Sequence, residues 1–511
     1  MIQEIKNFVD NLSEESFSLN LKLKEGLYAF LDIQKEGDEF QLLNEKELFE
    51  TKEDLLVYNQ KEDVDNYALY KKFLELDQCV KVVGSGKNKS FNSSAGIFMF
   101  TASPFAIALK KERYNTSDKI KQALRDYFKG ARKYITEQQF IDWTDLFQGF
   151  CEEKLLSLIP QLDGFESLKK NHFLYFFLKA PAAEDYKKAN EPYLKEKLFN
   201  KEDSNLKLKE EVFGISDSLS GFNDKKVFLK HHTAPLEYNF RVNGEVAMQL
   251  WKFFELQENG QIPNPVPVFI DQKELINLNQ EMISIFNDSE KKIGYTEMIK
   301  SILERSGEKY LQNYYLIFFQ GKKGSKIADI DFIPLFRYEI QNANIAEVFP
   351  LGGKQAARKV ENVFDMENHV FNMIFNGQLK THSWLKYFGE IKYEPKYFPG
   401  TTYNQLLKYR QSIYEFIYKS KKQAITAAMF DDMMVQRIFD DIRLDEVKKG
   451  DHSDEYAIKE KLNIWFSLYD FFINTSTKKR ENMVNRTQEL FTQLQELSQQ
   501  DNLHIKDDEA F

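Results

Sequence analysis

Leu406-Leu-Lys-Tyr-Arg-Gln-Ser-Ile-Tyr-Glu-Phe-Ile417 sets apolar side chains at Leu406, Tyr409, Ile413, Phe416 and Ile417, the spacing that paints one stripe along a helix. Ile458, Leu462, Trp465, Tyr469 and Phe472 repeat the pattern, and Leu490, Leu494 and Leu497 repeat it again. Pro395 and the Pro399-Gly400 pair punctuate the start of this region. The three stripes predict a helical bundle over residues 353–511.

Upstream the texture is mixed. Tyr314 to Phe319 and Ile327 to Tyr338 are aromatic and β-branched runs flanking Gln320-Gly-Lys-Lys-Gly-Ser325, a hairpin signature. Asp329 and Asp331 alternate there with Ile330 and Phe332, which is expected to place the acids on the solvent face. Val246, Leu250, Phe253 and Phe254 follow helical spacing, ended by Gly260 and then Pro263, Pro265 and Pro267 in an extended connector. Nearer the N-terminus, Phe17, Leu19, Leu21 and Leu23 alternate like a half-buried strand, and Gly26 precedes a second run, so an early hairpin is expected. The fold class is therefore α+β: a mixed region over 1–225, a second mixed region with a β-hairpin over 226–352, and the helical bundle over 353–511.

With 511 residues the chain exceeds one hydrophobic core. Its two cysteines, Cys79 and Cys151, lack cysteine or histidine neighbours at metal-ligand spacing, which argues against a zinc or iron–sulfur site and suits a reducing compartment. The N-terminus carries no secretory pattern. The longest uncharged run, from Ser90 to Leu109, contains Asn92, Ser93, Ser94, Thr101, Ser103 and Pro104 and reads as buried strand and turn, so no membrane span is expected. A cytoplasmic protein without metal or cofactor is the expectation.

The formal net charge is -9, yet twelve lysines and arginines crowd between Lys81 and Lys133 against only Glu112, Asp118 and Asp126. A basic patch in an acidic chain suits phosphate binding, because the remaining surface repels nucleic acid; a solvated helix face is the plainer alternative. Within the island, Gly84-Ser-Gly-Lys-Asn-Lys-Ser-Phe-Asn-Ser-Ser94 is a loop whose backbone N–H groups and short amides suit close approach to phosphates or base edges. It is not a Walker A loop, since one residue separates Gly84 from Gly86 where that motif has four. Arg125, Lys129, Arg132 and Lys133 follow at helical spacing. A second basic stretch holds Lys408, Arg410, Lys419, Lys421 and Lys422, and a third Lys478-Lys-Arg480 with Arg486.

Catalytic chemistry is sparse. His231-His232 has no carboxylate at ligand spacing. Asp431, Asp432, Asp440, Asp441, Asp445 and Glu446 offer magnesium-binding oxygens, but their helical context favours a solvated face paired with Arg437 and Arg443.

The blocks Tyr414-Glu-Phe-Ile-Tyr-Lys-Ser-Lys-Lys-Gln-Ala-Ile-Thr-Ala-Ala-Met-Phe430, Asp440-Asp-Ile-Arg-Leu-Asp-Glu446 and Ile458-Lys-Glu-Lys-Leu-Asn-Ile-Trp-Phe-Ser-Leu-Tyr469 resemble the large subunit of type I-B CRISPR Cascade effectors. Phe228-Leu-Lys-His-His-Thr-Ala-Pro235 and Ile262-Pro-Asn-Pro-Val-Pro-Val-Phe-Ile270 are similar to the same family. The cysteine-rich zinc insertion of some relatives is not matched. The resemblance implies a non-enzymatic subunit that contacts the crRNA 5′ handle, reads the protospacer-adjacent motif in target double-stranded DNA and stabilises the R-loop. It implies partnership with the backbone and small subunits of Cascade and with the helicase-nuclease. Its C-terminal part would resemble the small subunit, with Met366 or Met373 placed for an internal start. On this reading Lys87, Asn88, Lys89 and Asn92 contact the motif or the handle. Arg125, Lys129, Arg132 and Lys133 hold backbone, and Lys419, Lys421, Lys422 and Arg486 face target or displaced strand. The alternative is a stand-alone nucleic-acid-binding or scaffold protein unrelated to CRISPR.

Overall fold

The computed structural model describes residues 1–84, 89–92, 97–115, 117–200, 205–209, 211–219, 241–270, 275–288, 293–320, 326–351, 358–381, 384–393, 399–447, 455–473 and 492. The fold is α+β, with helices in the C-terminal part. The chain forms two compact units, one of Ile2–Asp10 with Phe17–Asn259 and one of Met1, Asn11–Ser16 and Gly260–Phe511. The division differs from the three regions read in the sequence. The change of unit falls at Asn259/Gly260, where the Gly244–Glu258 helix ends, and the hairpin shares its unit with the C-terminal helices. The 225/226 boundary lies outside the described residues.

In the first unit a four-stranded sheet runs in the order Leu55–Tyr58, Gly26–Leu31, Phe173–Leu178, Ala106–Lys110. The two central strands are parallel, Leu27 facing Leu174 and Phe30 facing Phe177, and both outer strands are antiparallel to them. Continuous apolar runs such as Phe-Leu-Tyr-Phe-Phe-Leu suit a strand buried on both faces. Phe73 of the Tyr67–Cys79 helix packs its ring on Tyr28, Phe30 and Phe177. The early hairpin expected at residues 17–33 does not form. Residues 14–18 are helical, Leu19 is exposed, and Gly26–Leu31 pairs with strands distant in sequence. The uncharged run after Asn92 does supply a strand, Ala106–Lys110, buried at four of its five positions.

The second unit holds an antiparallel sheet, Val266–Phe269, Tyr310–Gln320 and Lys326–Arg337, the last two forming the expected hairpin. Its turn, 321–325, lies outside the described residues. Helices Gly400–Tyr418, Ala427–Val447 and Glu455–Ile473 follow, and Leu406, Tyr409, Ile413, Phe416 and Ile417 are all buried as their spacing implies. The third stripe, Leu490, Leu494 and Leu497, lies outside the described residues. Residues 353–399 are not purely helical, since short strand pairs occur at Arg358–Lys359 and at Lys380–Thr381 with Trp384–Leu385.

Polar groups fasten this unit from within. Glu367 is fully buried in a five-residue π-helical turn and accepts hydrogen bonds from Tyr387 (2.6 Å), Tyr418 (3.0 Å) and the Lys380 ammonium (3.4 Å). Asp331 does not face solvent alone. It accepts from the Tyr414 hydroxyl at 2.9 Å and pairs with Lys419 at 2.6 Å, so the hairpin is tied to the Gly400–Tyr418 helix. A product beginning at Met366 or Met373 would lack that hairpin.

Within the acidic cluster, Asp440 and Asp441 form the anticipated ion pairs but not on a solvated face. Asp440 and Asp441 are each only 2 % exposed, Asp441 with the buried Arg437 and Asp440 with Arg443. Asp440 also accepts from the Thr401 hydroxyl, the Thr402 N–H (3.0 Å) and the Thr402 hydroxyl (2.6 Å), capping the Gly400–Tyr418 helix from a neighbouring helix. Lys461 and Glu460 extend the network to Arg358, which keeps these buried charges paired.

Candidate nucleic-acid interface

The loop that opens the basic island stands on a clamp. Tyr193, on the Ala183–Lys197 helix, accepts the Val83 N–H at 3.0 Å and donates its own hydroxyl proton to the Lys89 carbonyl at 3.0 Å. One buried phenol thus holds both stems, and burial pushes its pKa well above the ordinary tyrosine value. Gly84, just past the first stem, has φ +65°, a left-handed conformation that glycine adopts without strain.

Lys87 and Asn88 lie outside the described residues. Lys89 carries one stem of the clamp, and the Lys89 ammonium and the Asn92 amide are both taken up by partners within the fold. The Lys89 ammonium donates to the carbonyls of Lys197 (2.8 Å) and Phe199 (2.6 Å) and lies 3.5 Å from Asp217. Its side chain is 12 % exposed, and burial holds its pKa below the usual lysine value. It satisfies carbonyls at a helix C-terminus, a common use of a lysine. Asn92 is 2 % exposed; its amide donates to the Ile97 carbonyl (2.6 Å) and its oxygen accepts from the Ser90 hydroxyl (2.9 Å). The side chain shapes the segment from within.

The second part of the island is the Asp118–Ala131 helix, continued by a short turn at Arg132–Tyr134. Ile120, Ala123, Leu124, Tyr127, Phe128 and Ala131 are buried, leaving the opposite face to the cations together with Asp118, Gln122 and Asp126. Lys119, Lys129 and Lys133 are exposed and Lys121 half-exposed, and none of the four ammonium groups makes an ion pair among the described residues. The two arginines differ. Arg125 gives only its Nε–H to Glu152 (2.9 Å), whereas Arg132 gives Nη1 to Gln148 and Nη2 to Asp145. Arg132 therefore serves helix packing on the Gln138–Phe150 helix.

Loop and helix meet closely. A Cβ on Gly130 would stand 2.5 Å from the Phe91 carbonyl oxygen, so only glycine allows this approach, and the Phe91 ring packs on Tyr127 and Tyr134.

The second basic stretch divides likewise. Lys419 is 12 % exposed and bound to Asp331 and Glu415 over the Tyr414 ring, so its ammonium braces the fold. Lys421, 3.4 Å from Glu415, and Lys422 are both exposed. Arg486 and the Lys478-Lys-Arg480 run lie outside the described residues. Sequence reasoning missed Tyr193 as the loop's anchor, because nothing local links it to Val83. It also left Lys121 out of the site, although its place four residues before Arg125 was readable.

Among the described residues no group of histidine, cysteine, aspartate and glutamate is placed to hold a metal ion, and no helix is long and apolar enough to cross a membrane. Comparison with family models, curated proteins and solved structures returns no match.

Proposed function

We propose that this chain is a non-catalytic, nucleic-acid-contacting large subunit of a type I-B CRISPR Cascade complex. The observation that carries the reading is the Asp118–Ala131 helix, which turns unpaired lysines outward beside a clamped glycine-containing loop in a chain of net charge -9. The resemblance of the three C-terminal blocks supplies the family. In this reading the loop, through Lys87 and Asn88, contacts the protospacer-adjacent motif or the crRNA handle. Lys129 and Lys133 hold backbone, and Lys421, Lys422 and Arg486 line the path of target or displaced strand. The chain stabilises the R-loop, recruits the helicase-nuclease and works in the cytoplasm. Guide pairing reads sequence while the protein reads a short motif and backbone shape, as in another RNA-guided effector.

Co-expression with a repeat-containing guide RNA and the backbone-forming Cascade subunits tests this. Co-purification of the chain with the guide-bound assembly is expected. A chain that binds nucleic acid yet never joins the assembly would replace this reading with a stand-alone binding protein.

A further inference from the structure

We infer that Lys121, Arg125, Lys129 and Lys133 form one row that holds a single nucleic-acid strand by successive phosphates. The inference rests on the nucleic-acid reading above and goes beyond it in naming the strand type and the contact set. The four residues are spaced by four, so they follow one ridge of the helix and its continuing turn, each step rising about 6 Å. That step is close to the separation of neighbouring phosphates along a strand. The row is a single file of cations on one inclined ridge, turning about 40° per step, which suits one strand laid across the helix rather than the two paired backbones of a duplex.

The surroundings sort the row from its neighbours. The ammonium groups of Lys121, Lys129 and Lys133 make no ion pair among the described residues. Glu152 takes only the Nε–H of Arg125, and the side chain remains 55 % exposed, so the guanidinium is braced by one contact while staying open to solvent. Arg132 gives both terminal nitrogens to neighbouring side chains and does not belong to the row. Lys119 lies on the same helix, off the ridge that carries the row. The shared chemistry is a phosphodiester backbone, whether it comes from guide RNA or from a displaced DNA strand.

The experiment is binding of the full chain to fluorescent oligouridylate, to oligothymidylate of equal length and to a mixed-sequence DNA duplex over a salt series. Single-strand binding is expected to exceed duplex binding. Lys121→Gln, Arg125→Gln, Lys129→Gln and Lys133→Gln should each reduce the magnitude of the log–log salt slope for single strands by about 0.7, and the fourfold variant by about 3. Lys119→Gln should leave the slope as it is, and thermal midpoints should show that every variant folds. Tighter binding of one oligonucleotide over the other identifies which strand the row holds and supports the inference. Preference for duplex, or a loss with Lys119→Gln equal to that with Lys129→Gln, overturns it. If the chain joins the guide-bound assembly but the fourfold variant keeps the parent slope, only the row falls; if the parent chain binds no nucleic acid, the functional reading falls with it.

Discussion

Gly130 lies against the Phe91 carbonyl so closely that a Cβ built on the glycine would stand 2.5 Å from that oxygen. The contact brings the trailing stem of the glycine-containing loop onto the basic helix, making neighbours of two features that are merely close in sequence. Around it Phe91 sits 5.2 Å from Tyr127, 5.5 Å from Tyr134 and 5.3 Å from Tyr193, ring centre to ring centre.

Gly130→Ala separates this contact from helix propensity. In an exposed helix the change would stabilise by about 1 kcal/mol. Here the added methyl meets backbone rather than a movable side chain, and overpacking of that kind costs about 1–3 kcal/mol. The thermal midpoint should fall. A rise would mean that the Phe91 backbone withdraws freely.

Tyr193→Phe removes the hydroxyl that joins Val83 to Lys89 and leaves a buried N–H without its partner. An orphaned group of this kind costs about 1–3 kcal/mol. Hydrogen exchange at the Val83 amide should accelerate in the variant. Exchange at the parental rate would show that the phenol does not hold the stem.

Lys89→Met asks whether that lysine binds ligand or carbonyls. The variant should lose about 1–3 kcal/mol, because the Lys197 and Phe199 carbonyls lose their donor and Asp217 loses its cation. Its salt slope for nucleic acid should match the parent. A reduced slope on an equally stable protein would return Lys89 to the binding surface.

Elements whose signal is local were readable in advance. The stripe from Leu406 to Ile417, the Gly244–Glu258 helix and the Tyr310–Gln320/Lys326–Arg337 hairpin each carry their period within a few turns of chain. Pairing of Gly26–Leu31 with Phe173–Leu178 was not readable, because parallel strands need a crossover and their register depends on side chains far apart in sequence. The same distance explains the site. Counting lysines finds a basic island but does not tell Lys89, buried on carbonyls of another helix, from Lys129, which is exposed; Lys419 is likewise taken up by Asp331 of the hairpin.

Asp440→Ala tests whether the acidic cluster is scaffold. Loss of the cap on the Gly400–Tyr418 helix should cost about 1–2 kcal/mol, with or without magnesium. A parent chain stabilised by magnesium, with that gain abolished in Asp440→Ala, would instead make the cluster a metal site.

Asp329→Asn should make stability less dependent on pH. Burial, then the neighbouring Asp331, raises the Asp329 carboxyl above its ordinary value of 3.8. In the window between that value and the raised one, the folded chain keeps a proton that the unfolded chain releases. Stability from this group therefore falls as pH rises through the window and stays reduced above it. Asparagine cannot ionise, so the variant should resist urea better than the parent at about pH 7, and the advantage should vanish near about pH 2, well below the ordinary value, where the carboxyl is protonated in both states. Urea midpoints of both proteins at the two pH values measure the difference. An advantage that is the same at both would place its origin in packing rather than in the proton.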